Sequence, residues 1–155
     1  MSSSIKYVHT NLIARDWKKL AEFYINVFEC EPSYPERDLS GDWIDKLTAI
    51  KGARITGIHL KLPGFENGPT LEIFEYNPAN VIEFTKLINI PGFSHLAFHV
   101  NDVEAVVNKV IENGGSKYGE LVENEIPGQG IIKAVYLCDP EGNIIEVQNW
   151  KKAND

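Results

Sequence analysis

The chain has no apolar run long enough to span a membrane. Its first residues, Met-Ser-Ser-Ser-Ile-Lys-Tyr, lack the hydrophobic stretch of a secretory signal, so a cytoplasmic location is expected. Cysteine is scarce. Cys30 and Cys138 are the only two, they form no CxxC pair, and their apolar neighbours predict packed free thiols. Lys/Arg-rich runs are also absent. Fifteen basic against 22 acidic residues leave a net charge of -7, which argues against nucleic acid or an anionic membrane as the main partner.

What is present fits a globular protein. At 155 residues, with 43% apolar and 24% charged content, the chain matches one ordinary domain with a real core. Residues 7–14 read as a strand, after which Asp16 can cap a helix carrying Trp17, Leu20, Ala21, Tyr24 and Phe28 on one face. Residues 93–100 read as a second strand. Asp102 then caps a helix bearing Val103, Val106, Val107 and Val110, ended by Gly114-Gly115. One constant shift of 86 positions (95 minus 9) superposes the two, laying His9 on His95 and Asp16 on Asp102. This is an internal repeat of a strand-helix unit.

Each half continues in strands. Residues 53–62 and 70–76 are strand-like, joined by a turn over 63–69; so are 118–122, 131–137 and 143–149, the last two joined by a turn over 139–143. Residues 31–50 look irregular, with a short helical pattern at Trp43, Leu47 and Ile50 behind a possible cap at Asp42. This insertion is expected to cover the site. Residues 77–91 read as a linker with one or two helical turns, giving module one over about 5–76 and module two over about 92–150 of a single domain.

Strand alternation assigns the chemistry. Tyr7, His9 and Asn11 share one face of the first strand; Phe93, His95, Ala97 and His99 share one face of its repeat, so both His9 and His95 point away from the helix side. The last strand of each half then carries an acid among apolar neighbours, Glu72 in Leu-Glu-Ile and Glu146 in Ile-Glu-Val. A strand carboxylate in that setting needs solvent or a partner. Two imidazoles and two carboxylates, His9, Glu72, His95 and Glu146, suit one divalent ion: Ni²⁺, Co²⁺, Zn²⁺, Mn²⁺ or Fe²⁺. By the same parity Tyr7, Asn11, Phe74, His99 and Gln148 are expected to line a substrate pocket. His59, sharing a face with Ile55 and Lys61, reads first as an ordinary strand histidine. Gly128-Gln129-Gly130 lacks the Lys and helix of a phosphate loop and reads as a flexible loop near the groove.

The motifs Val-His-Thr followed by Phe-Tyr-Ile-Asn-Val-Phe, Phe-Ser-His-Leu-Ala-Phe, and Leu-Cys-Asp-Pro-Glu-Gly-Asn-Ile-Ile-Glu-Val resemble the vicinal oxygen chelate superfamily over nearly the whole chain. That superfamily includes glyoxalase I, methylmalonyl-CoA epimerase, extradiol dioxygenases, fosfomycin-resistance enzymes and bleomycin-binding proteins. The resemblance implies an α+β fold of paired βαβββ modules forming an incomplete mixed barrel around a metal. It implies a homodimer acting on a small molecule, with His9, Glu72, His95 and Glu146 in the glyoxalase I ligand pattern. The activity implied is a lactoylglutathione lyase-like isomerisation through a metal-bound enediolate, with Glu146 the first choice of base and Glu72 its partner. Ile13 and Tyr76 depart from that pattern, standing where bacterial glyoxalase I commonly carries an arginine and an asparagine. The alternatives are an acyl-CoA epimerase, a ring-cleaving dioxygenase, a fosfomycin-type transferase, or a metal-free drug-binding protein using Trp17, Trp43 and Trp150.

Overall fold

The computed structural model describes residues 4–82 and 85–152. The chain divides into two compact units, residues 1–82 and 83–155, each built on its own mixed sheet. The fold is α+β, and neither sheet closes into a barrel.

The first unit runs β1 (His9–Ile13), α1 (Trp17–Phe28), β2 (Glu31–Ser40), α2 (Asp42–Thr48), β3 (Arg54–Lys61) and β4 (Thr70–Asn77). Its strand order is β1-β4-β3-β2, with β1 parallel to β4 and the other neighbours antiparallel. The Asp16 carboxylate accepts from Lys19 N at 3.1 Å and so satisfies one of the free donors that start α1. One face of α1 is buried through Leu20, Phe23, Tyr24 and Val27. Along β3 and β4 the fully buried Leu60, Leu71 and Ile73 alternate with His59, Glu72 and Phe74. Each fully buried aliphatic side chain contributes about 1.5–3 kcal/mol. That parity frees the other face for chemistry. Gly57 in β3 is fixed by crowding, since a Cβ there would stand 2.1 Å from the Ile73 carbonyl oxygen.

The short helix α2 packs on that second face, where Ile44 meets Ala53, Ile55 and Phe74, with Leu39 and Tyr76 at the edge. The Asp45 carboxylate ties its end to the next turn, accepting from Gly52 N at 2.8 Å and Ala53 N at 3.1 Å.

The second unit runs β5 (His95–His99), α3 (Val103–Glu112), β6 (Ser116–Lys117), β7 (Val122–Ile126), β8 (Gly130–Cys138) and β9 (Ile144–Lys151). The order is β5-β9-β8-β6, with β7 also paired to β8 and β5 parallel to β9. Asp102 caps α3 by accepting from Ala105 N at 2.9 Å. Val103, Val107 and Val110 are buried, while Val106 is half-buried at the margin of the apolar face. The Asp139 side chain, 3% exposed, organises the β8–β9 turn by accepting from Glu141 N, Asn143 N and Asn143 Nδ2.

Several expectations are corrected. Residues 31–40 are a strand, not irregular chain: β2 sits at the sheet edge, where prolines cost no ladder partner on the open side. The cap of α2 is Gly41, and Asp42 is the first helical residue. Ile50 lies past the helix end. Residues 118–121 form no strand; Tyr118 N and Gly119 N both donate to the Tyr136 carbonyl in a bend between β6 and β7. Described residues 85–91 hold a single hydrogen-bonded turn, Ile90 N to Leu87 O, in place of helix. Of Gly128-Gln129-Gly130, the first two lie in the turn of the β7–β8 hairpin, closed by Gln129 N donating to Ile126 O at 2.9 Å, and Gly130 opens β8. The expected strands at 7–14 and 93–100 shorten to β1 and β5. Both cysteines are free, and burial pushes the Cys30 thiol up to about 12.

Candidate metal centre

Three adjacent strands of the first unit converge on Glu72. In register, Asn11 of β1 and His59 of β3 stand on either side of it, and His9 lies two residues before Asn11 on the same face. His9 Nε2 is 3.2 Å from Glu72 Oε2, and His59 Nε2 is 2.9 Å from Oε1. Asn11 Nδ2 donates to Oε2 at 3.1 Å. The His9, His59 and Glu72 donor atoms all lie within 4.8 Å of one another. The carboxylate is only 12% exposed, which strengthens each contact relative to water.

The donor set fits a divalent ion. Two imidazoles and one carboxylate are ligands that borderline metals accept, and ligation needs neutral imidazole. Burial pushes the His59 pKa down, outweighing the opposite pull of Glu72; Arg37 and His9 push it down further. Thr70 Oγ1 lies 3.1 Å from His59 Nδ1, so a hydrogen bond there orients the ring and can leave the Nε2 lone pair facing the cluster. Phe74 and His9 bracket His59 edge-on, each with its ring centroid 5.8 Å away.

The second unit repeats the plan with fewer donors. His95 Nε2 lies 3.1 Å from Glu146 Oε2, and Ser94 Oγ lies 3.0 Å from the other ring nitrogen. Opposite Glu146 stand Ala97 and Tyr136. The Tyr136 ring sits edge-on to His95 with centroids 5.1 Å apart, and burial, then Glu146, raises its hydroxyl pKa.

Above the first sheet opens a cavity of about 500 Å³, lined by His9, Asn11, His59, Glu72, Phe74 and Tyr76, with Arg37 from β2 and the α2 side chains completing it. Asn11 and Phe74 both lie on its wall. Tyr7 is exposed, its hydroxyl bonded to Thr10 Oγ1. His99 faces solvent opposite Gln148, whose Oε1 accepts from the Trp150 indole. Trp17 is core, whereas Trp43 lines the cavity.

The sequence matches the family model "Glyoxalase/Bleomycin resistance protein/Dioxygenase superfamily" over residues 6–147. The chain belongs to this superfamily. Solved structures of similar fold include a glyoxalase family protein from Bacillus cereus, 14% identical, with a TM-score of 0.82 and 96% of each chain covered. The genomically encoded fosfomycin resistance protein FosX from Listeria monocytogenes is 16% identical, with a TM-score of 0.59, covering 97% of this chain and 96% of that one. Another FosX structure, a mutant, holds Mn(II) and 1S,2S-dihydroxypropylphosphonic acid; it is also 16% identical, with a TM-score of 0.54, covering 95% of this chain and 92% of that one. No curated relative matches the sequence. No helix among the described residues is long and apolar enough to cross a membrane.

The sequence underrated His59 and missed Arg37. The signal for His59 was its parity with Ile55, which places it on the ligand face once β3 is set antiparallel to β4 in the observed register.

Proposed function

We propose that this superfamily member is a divalent-metal-dependent enzyme that isomerises an oxygenated small molecule by glyoxalase-type proton transfer. The observation that carries the reading is the convergence of His9, His59 and Glu72 within 4.8 Å. His9 and Glu72 are the proposed ligands in the first unit, with His59 an added donor beside Glu72, and His95 and Glu146 are the ligand pair proposed in the second. A bound ion would act as a Lewis acid, polarising a substrate oxygen and acidifying the neighbouring C–H.

The protein's own part is positioning and proton transfer. Glu72 is fixed by His9, Asn11 and His59, which suits a ligand. Glu146 has His95 as its partner and is freer to accept and return a proton at its second oxygen, which supports it as the base. A homodimer belongs to the same proposal. The Mn(II) in the FosX complex supports the choice of a divalent ion, as chemistry the shared fold can house.

Metal analysis of protein purified without chelator should find a stoichiometric divalent ion. His9→Ala and Glu146→Gln should abolish metal-dependent turnover in a screen of hemithioacetals, acyl-CoA epimers and catechols, with circular dichroism unchanged. A folded protein that takes up no metal would overturn the reading and leave a binding module.

A further inference from the structure

The walls of the cavity say what the reacting molecule carries besides its reactive oxygens. On one side stand Trp43 and Leu47 of α2 and Ile50 just beyond it, 56%, 73% and 37% exposed. Side chains of this size are costly to leave in water, and here they are grouped around a concave space. On another side stands Arg37. Its register partner is Gly57, which shares a face with His59, so the guanidinium rises on the ligand side opposite a position without a side chain. The register shift between Ser33 and Arg37 marks the irregularity that sets it there. One of its N–H groups goes to the Pro35 carbonyl, and among the described residues no acid pairs with it. Among those residues it is also the only Lys or Arg lining the cavity.

We propose that this cavity selects a small organic monoacid: a carboxylate held by Arg37 and a branched or aromatic body against Trp43, Leu47 and Ile50. The reactive carbons would then face His9, His59 and Glu72, which is the part that rests on the reading above. Charge favours a monoanion at this wall: Arg37, the one Lys or Arg among the described lining residues, offers a single guanidinium fork, which pairs with one carboxylate. Volume decides against a large carrier, because about 500 Å³ lies within the roughly 300–1,000 Å³ of sites for single small molecules.

Isothermal titration with 3-phenyllactate, its methyl ester and lactate tests both halves. The acid should bind roughly tenfold to a hundredfold tighter than the ester, as expected for a charged hydrogen-bonded pair. Arg37→Met should erase the preference for acid over ester, and Arg37→Lys should restore part of it. Trp43→Ala should erase the preference for phenyllactate over lactate while keeping that for acid over ester. Acid preference in chelator-treated protein that takes up no metal would uphold this proposal and sink the metal reading. Metal uptake without any difference between acid and ester would do the reverse, and failure of all three probes to bind would overturn this proposal. Leu47→Asp should leave the sedimentation coefficient unchanged; dissociation of a dimer would make this wall a subunit interface and overturn the proposal.

Discussion

The two units share one scaffold and differ in what surrounds the carboxylate. In the first, Glu72 has Asn11 on one neighbouring strand and His59 on the other, and His9 completes three contacts. In the second, the same places hold Ala97 and Tyr136, and among the described residues His95 is the one that hydrogen-bonds Glu146. Helix, cap and parallel strand pair are common to both. The duplicated module therefore fixes where a histidine and a glutamate stand, and the flanking strand positions decide how firmly the glutamate is held.

Breaking the donor-rich half should have the larger effect. Glu72→Ala strands His9, Asn11 and His59 together, and Mn(II) affinity should fall by at least about a hundredfold. Glu146→Ala leaves only His95 without its partner and should cost less. His59→Phe keeps the ring volume, removes both hydrogen-bonding nitrogens, and should weaken binding by about tenfold to a hundredfold. Titration of the three variants gives the order; equal losses for the two glutamates with none for His59→Phe would erase the distinction.

Stability should reverse the ranking, because the second unit owns the tighter connection. Its β8–β9 turn depends on one buried side chain, and Asp139→Ala removes the acceptor of three bonds of 2.8–2.9 Å. The cost should be about 2–4 kcal/mol in urea unfolding. In the first unit the β3–β4 connection carries Glu66 exposed, and Glu66→Ala should change stability by no more than about 0.5 kcal/mol.

Much of this was legible in the sequence, for reasons that also mark where reading stopped. Helix faces follow a 3.6-residue period and strands a period of two, so α1, α3, β3, β4 and the shared face of His9 and Asn11 could be read directly. The edge strand β2 defeated that logic. With Pro32 and Pro35 and charges on both faces, its place is set by hydrogen bonds to β3, which leave no apolar pattern. The contact of His59 with Glu72 depends on a register set by the turn over residues 62–69, and hydropathy does not encode it. Arg37 was hidden for the same reason, since an edge strand that goes unrecognised cannot be given a face.

The smallest expected effect lies where the units ought to agree. Asp16 and Asp102 stand at equivalent positions, with extended backbone and a carboxylate accepting from the residue three places on, at 3.1 and 2.9 Å. Alanine at either should cost about 1 kcal/mol, since each strands one amide at a helix start. Glu75 from β4 also reaches the first helical amide of α1, Trp17 N, at 3.4 Å, a long contact that softens the loss there by a few tenths at most. Trp17 is buried beside the cap, so with Trp43 and Trp150 replaced by Phe its fluorescence follows the first unit in a urea titration while circular dichroism follows both. Losses within about 0.5 kcal/mol of each other would show that the repeat is energetically even in its scaffold. A gap above about 1 kcal/mol would place the asymmetry in the module itself and not in the residues around its carboxylate.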